Sequence, residues 1–596
     1  MKRTLLIFVA VSALTVAHAQ KIAPDVDTTT SAPVKVIVQY KSAPSLLNLT
    51  SLLSLGGILN VVTGLLNTVA TIVPGTSIQT LANDPSVAYI ALDHPLSIAG
   101  NWIGAKPDYG WKTIGADQAT SVFGLDGTGV GVAVIDSGMD NLTDLKTAAG
   151  ASRIAFSQSF VPGDLSTGDK FGHGDHVAGI LGGTGKDSTG SKYSYTVRGV
   201  APGVKFINLR VLDGTGQGSD SAVLSAIAKA ISLKSTYNIR VINLSLGRPV
   251  NASCQYDLLC QAVQVAWQNG IVVVAAAGNG GRDNTQGTNG YSTITSPGNN
   301  PYIITVGAMN TRGTQSETDD QIASYSSKGP TLFDHYIKPD VVAPGNLVFS
   351  LRAPGSYLDA NDSGYCVPQS VYVAGSTSTT CPDYFVLSGT SMATPMVSGA
   401  AALMIQQDPT LTPDQVKARL MKTADKIPAT SYTITDPTTG QTFNEQNDVF
   451  TVGAGYVDIP AALSNKDKVG SAALSPYAVP DPITGNVVLT FPPAVITTTS
   501  SGGLLSGLTS LLGGSTSSAS GSNVLWGSNV LWGSNVLWGS NVLWGSNVLW
   551  GSSAVWGTSS ISGSNVLWGS NVLWGSNVLW GSNVLWGSDA GVSDPY

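Results

Sequence analysis

Short, almost wholly apolar runs separated by helix-like segments dominate the middle of this chain. Residues 130–135, 204–211, 241–246, 271–277 and 303–306 read as strands buried on both faces. Segments of helical character near 176–182, 221–234, 257–269, 394–407 and 413–423 alternate with them. This alternation predicts an α/β domain between about 127 and 465, its mostly parallel central sheet covered by helices on both faces. In such sheets functional groups gather beyond the C-terminal ends of the strands.

The flanks differ. Val34-Lys35-Val36-Ile37-Val38-Gln39-Tyr40 alternates like a strand, and Ser86-Val87-Ala88-Tyr89-Ile90-Ala91-Leu92 reads as another. Between them lies a nearly uncharged, leucine-rich stretch, 45–73, long enough for a membrane span. Asn48, Asn60, Asn67 and two adjacent glycines favour a packed amphipathic helix, or a pair of helices, over that reading. Together these segments predict a small α+β unit. Beyond Lys466 the chain turns to Pro, Ser, Thr and Gly, and no charged residue occurs between Asp481 and Asp589. That stretch holds a hexapeptide repeat, Gly-Ser-Asn-Val-Leu-Trp, whose tryptophans run from Trp526 to Trp586. Stacked short strands forming a β-solenoid and low-complexity disorder are both open readings. Regularly spaced tryptophans suit binding to carbohydrate or a cell surface, making the tail a candidate adhesive module.

Composition narrows the class. The chain has 596 residues, 11% of them charged, and a net charge of −7, with no polybasic run. Nucleic acid and anionic membrane are therefore not the expected partners. Lys2-Arg3, an apolar run from Leu5 to Val16, and Ala17-His18-Ala19 before Gln20 form a secretory signal, so the protein is expected to be exported. Cys254, Cys260, Cys366 and Cys381 suit that compartment. Four cysteines allow three connectivities, and the two close pairs favour Cys254–Cys260 and Cys366–Cys381.

The strongest chemical signal is Gly389-Thr390-Ser391-Met392-Ala393-Thr394-Pro395, ahead of an apolar helical run. Ser391 is expected at a helix N-terminus, where free backbone N–H groups favour developing negative charge, with Pro395 still in the first turn. A serine nucleophile needs a base, and histidine titrates in the right range. His173, between glycines in Gly172-His173-Gly174-Asp175-His176, has that context. His176 reads as a packed core residue and His335 as a surface loop residue. The orienting acid should end a buried strand, as Asp136 does. Ala275-Ala276-Ala277-Gly278-Asn279 ends another strand with an amide able to donate to an oxyanion, alongside the Ser391 N–H.

The segments around Asp136, His173, Asn279 and Ser391 resemble the four signature blocks of the subtilisin-like serine proteases, in the family's order of acid, base and nucleophile. The resemblance implies a subtilisin-like fold and peptide-bond hydrolysis through an acyl-enzyme, with Asp136, His173 and Ser391 catalytic. It implies an oxyanion hole of Asn279 and Ser391, and a substrate cleft lined by Ser245, Leu246 and Gly247. Proteins and peptides are the implied substrates, and the enzyme is expected to be a monomer. No cofactor is needed for the chemistry. Structural calcium is implied by resemblance alone, with Asp144 at a position that ligates it in some members. The expected organisation is signal 1–19, inhibitory propeptide 20–100, peptidase domain 101–465, linker 466–520, repeat region 521–588 and tail 589–596. One departure stands out: Asp175 occupies a position where the family usually has threonine. Its extra carboxylate near the imidazole predicts that Asp175→Thr changes the acid side of the pH profile more than the maximum rate.

Overall fold

Alternating apolar residues make β1 (Pro33–Tyr40) an inner strand of a small antiparallel sheet in the computed structural model, which describes residues 21–96, 110–285, 287–361, 363–436, 440–480 and 487–490. The expected signal segment, the hexapeptide repeats and the C-terminal tail lie outside these residues. The chain forms two compact units, one ending at Asp93 and the other beginning at His94.

In the first unit the strand order is β2 (Ile58–Thr63), β3 (Thr68–Pro74), β1 and β4 (Val87–Leu92). Helices α1 (Leu46–Ser54) and α2 (Gly75–Asn83) bring Leu52, Ile78 and Leu81 onto Val36, Val38 and Val69 of the sheet. The leucine-rich stretch is thus one helix and a β-hairpin rather than a helix pair. The helix stops because Gly56 takes a positive φ of 79° and Gly57 N–H bonds back to the Leu52 carbonyl at 2.9 Å, which satisfies the helix end.

The second unit starts with β5 (Pro95–Leu96) and the short helices α3 (Gly110–Thr113) and α4 (Ala116–Ser121). Its main sheet uses β6 (Gly131–Asp136), β7 (Ile154–Ser159) and β8 (Lys205–Arg210). Strand β9 (Gly218–Ser219) stands apart and pairs antiparallel with β5. The sheet continues through β10 (Ile239–Leu244), β11 (Val272–Ala276), β12 (Ile304–Asn310), β13 (Gln321–Ile322) and β14 (Val341–Pro344). The order is β13-β12-β11-β10-β6-β8-β7, with β14 beside β12; only the β12–β13 pair is antiparallel.

Every residue of β6, β11 and β12 is buried, as a sheet covered on both faces requires. Helices α5 (Gly174–Gly182), α6 (Asp220–Tyr237) and α7 (Leu258–Gln268) pack on it. Between β15 (Val348–Leu351) and β16 (Tyr384–Leu387), an antiparallel pair, runs an insertion holding α8 (Tyr357–Asn361) and α9 (Gln369–Tyr372). Helix α10 (Thr390–Gln407), buried from Thr390 to Ile405, crosses β10, β11, β12 and β14 and leads to α11 (Pro413–Thr423). Disulfides join Cys254 to Cys260 and Cys366 to Cys381. Among the described residues no helix is long and apolar enough to cross a membrane.

Candidate active site

Strand β6 delivers Asp136 to the C-terminal end of the sheet, and α5 begins directly after His173. Both side chains are almost wholly buried, and His173 Nδ1 lies 2.7 Å from Asp136 Oδ1. Ser137 joins the two elements: its N–H donates to Asp136 Oδ1, and its hydroxyl accepts from Gly174 N–H, both at 2.8 Å. A Cβ at residue 174 would sit 2.1 Å from the Gly138 carbonyl oxygen, so glycine is required for this approach. His173 Nε2 is buried and has no hydrogen-bond partner. His176 is a core residue: Nε2 donates to the Val348 carbonyl at 3.1 Å. Burial first, then the charge of His173, pushes its pKa down to about 3, so it stays neutral.

Two carboxyl groups behind this pair are buried as well. Asp169 receives the Ser137 hydroxyl at 2.8 Å and the Gly172 and Asp175 N–H groups at 2.7 and 2.8 Å. Burial nevertheless pushes it up to about 6. Asp175 accepts from the Asp140 N–H at 2.9 Å, and its second oxygen is buried without a partner. Burial, then the charges of Asp169 and Asp140, hold Asp175 well above the usual carboxylate range. The shift favours the neutral form of the residue expected to add a carboxylate near the imidazole.

Ser391 sits in the first turn of α10. Its hydroxyl donates to the Ser245 carbonyl at 3.0 Å, and no hydrogen bond joins it to His173. Pro395 lies in the second helical turn, not the first, because α10 starts at Thr390. Proline has no N–H for the Ser391 carbonyl four residues back. The Ser245 hydroxyl fills that role, donating to this carbonyl at 2.8 Å. Ser245 and Leu246 are buried, so within the expected cleft trio only Gly247 keeps appreciable exposure. The Ser245 side chain thus braces the serine turn.

Asn279 follows β11. Its Oδ1 accepts from the Thr390 N–H and hydroxyl at 2.9 and 3.0 Å, and the Thr390 hydroxyl in turn accepts from Gly278 N–H at 3.1 Å. With Oδ1 held, Nδ2 is the end left to donate beside the Ser391 turn. A Cβ at residue 389 would lie 3.2 Å from Nδ2, so the turn leaves little room for a side chain. Sequence reasoning passed over Thr390, although it adjoins Ser391. It also missed Asp169, whose only signal was a carboxylate four residues before His173.

Asp144 does not fit a calcium ligand here. Its carboxylate accepts from the Thr184 hydroxyl at 3.3 Å, the Asp187 N–H at 3.1 Å and the Tyr384 hydroxyl at 3.1 Å. A calcium shell needs six to eight oxygen ligands, whereas these neighbours turn hydrogens toward the carboxylate. Burial, then the charge of Asp187, pushes Asp144 up to about 6. Among the described residues no group of three or more His, Cys, Asp and Glu side chains could hold a metal ion.

Comparison with known proteins bears on this arrangement. The model of the subtilase family matches residues 127–455. The serine protease AprX of Bacillus subtilis is 38% identical over 311 residues, spanning 51% of this chain and 62% of that protein. Subtilisin E of the same organism is 36% identical over 368 residues, 61% of this chain and 77% of that protein. The structure of fervidolysin from Fervidobacterium pennivorans, described as a keratinolytic enzyme related to subtilisin, superposes with a TM-score of 0.55 at 21% identity. That superposition covers 77% of this chain and 64% of fervidolysin, and supports the fold. A family match across more than half of the chain, with relatives above a third identical, establishes that this protein belongs to the subtilase family of subtilisin-like serine proteases.

Proposed function

We propose that this chain is a secreted serine endopeptidase, made as a zymogen, that cleaves proteins through Asp136, His173 and Ser391. The observation that carries the reading is the Asp136–His173 bond of 2.7 Å together with a buried, unpartnered Nε2 on the same imidazole. Turned from the Ser245 carbonyl toward Nε2, Ser391 gives up its proton and attacks the scissile carbonyl. His173 then passes that proton to the leaving amine, while Asp136 orients the imidazolium. Asn279 Nδ2 and the Ser391 N–H hold the oxyanion. Residues 20–100 act as an inhibitory propeptide, and the signal at 1–19 directs export. Casein is incubated with the wild-type chain, with the chain treated with a serine-reactive inhibitor, and with Ser391→Ala. Cleavage by the untreated wild type alone supports the reading. A wild type that neither cuts casein nor processes itself removes it.

A further inference from the structure

The histidine that opens the second unit is held by groups the catalytic reading does not use. The His94 carbonyl accepts from the Asp220 N–H at 3.2 Å, and its Nδ1 lies 3.4 Å from Asp220 Oδ2. Its Nε2 lies 2.9 Å from the Asn251 side-chain nitrogen. The next two residues form β5 and pair antiparallel with β9, Pro95 against Ser219 and Leu96 against Gly218. Strand β9 lies close to Val211: a Cβ at residue 218 would sit 2.9 Å from the Val211 carbonyl oxygen. The Val211 N–H bonds the Asp136 carbonyl at 2.8 Å. An extended chain seated as residues 94–96 are seated therefore pairs with a strand packed beside the segment bonded to Asp136.

The side-chain site beside this strand is charged and built. Asp220, at the start of α6, is buried and chelated by Arg248, whose Nε lies 2.9 Å from both carboxylate oxygens. Arg248 also reaches Asp257 Oδ1 at 2.9 Å. Two carboxylates against one guanidinium leave a net negative charge under His94. Burial opposes ionisation of Asp220, yet Arg248 and His94 hold its carboxyl below the usual range. Asn251 serves either form of an imidazole, because its amide donates to a bare ring nitrogen and, turned over, accepts from a protonated one.

We propose that Asp220 and Asn251 form a specificity subsite, upstream of the scissile bond, that takes an imidazole or cationic side chain from an extended peptide, and that His94 occupies it in cis. The specificity half of this rests on the endopeptidase reading; the docking half does not. Docking is read by hydrogen exchange of the His94 and Leu96 amides in the intact Ser391→Ala chain. His94→Ala and Asn251→Leu should each speed exchange there by about fivefold, the loss expected for one or two hydrogen bonds. Unchanged exchange in both overturns the proposal. Specificity is read by mapping cleavage sites in denatured protein. Wild type should enrich His, Lys or Arg at one fixed upstream position, and the sites cut by Asn251→Leu should lose that enrichment. An enrichment identical in both chains overturns the subsite. Failure of wild type to cut casein strikes the endopeptidase reading instead, and exchange in the inactive chain still decides the docking.

Discussion

Ser245 and Ser391 exchange two hydrogen bonds: the Ser245 hydroxyl donates to the Ser391 carbonyl at 2.8 Å, and the Ser391 hydroxyl donates to the Ser245 carbonyl at 3.0 Å. The first exists because Pro395 cannot serve that carbonyl. Ser245→Ala should therefore strand a buried acceptor and cost about 1–3 kcal/mol, read as a lower urea midpoint. Adding Pro395→Ala restores an N–H four residues along and should recover most of that loss. Additive losses in the double variant would show that the brace is not what Ser245 supplies.

Thr390 fixes which end of the Asn279 amide faces the serine turn. Asn279→Ala is expected to lower kcat by about 10²–10³, the usual loss for one oxyanion donor. Thr390→Val keeps the backbone N–H and removes only the hydroxyl, so its loss should be smaller, with KM nearly unchanged. Equal losses in kcat and rise in KM for Thr390→Val would indicate a disturbed cleft, not a misdirected amide.

Burial, then the charges of Asp169 and Asp140, raise the Asp175 carboxyl above the usual range. The threonine comparison made from sequence placed its influence on the acid limb of activity. Because the shift favours the neutral carboxyl, Asp175→Asn should leave the acid limb of kcat/KM in place and alter only the alkaline side. A carboxyl raised in the folded state binds more protons there than in the unfolded chain, so its stabilising share fades as pH climbs through the folded pKa. The melting temperature of Asp175→Asn should accordingly fall less than wild type as pH rises above the ordinary carboxylate range. A displaced acid limb in this variant would mean that the carboxyl is charged.

Glu317 sets a second pH dependence, far along the chain from the catalytic candidates. Burial, followed by the charges of Asp425, Asp320 and Asp458, pushes it up to about 8. Burial pushes Asp320 up to about 7. Both groups keep protons in the folded chain that the unfolded chain has released, so stability should decline as pH rises from the normal carboxylate range to about 8. Glu317→Gln should flatten that decline, measured as urea midpoints across the same range. A wild-type chain whose stability rises through neutral pH would overturn this.

Much of the second unit could be read in advance because its signals are local. The run ending at Asp136 is a strand whose every residue is buried, and a glycine-flanked histidine opens α5 as expected. The mostly parallel sheet followed from the same runs. Where tertiary partners decide, the reading failed. Residues 58–74 are as apolar as the helix before them, and only the Gly56-Gly57 stop and the reversal at Asn67, with φ of 55°, separate hairpin from helix. Asp144 carries the right residue type for a cation, but hydroxyl and amide donors from Thr184, Asp187 and Tyr384 converge on it from distant positions. The task of the Ser245 hydroxyl is set by Pro395, far along the chain, and carries no local signal.

The contact between Gly138 and Gly174 has a mechanical meaning. Backbone meets backbone there without an intervening side chain, and the Ser137 bonds to Asp136 and Gly174 run alongside it. Strand end and helix start are thus welded, and carboxylate and imidazole travel as one rigid body. Ser391, by contrast, is parked on a single exchangeable hydrogen bond to Ser245. Under the proposed mechanism the acid and base are set in advance, and the bond to be exchanged on meeting a peptide is the one the Ser391 hydroxyl makes to Ser245.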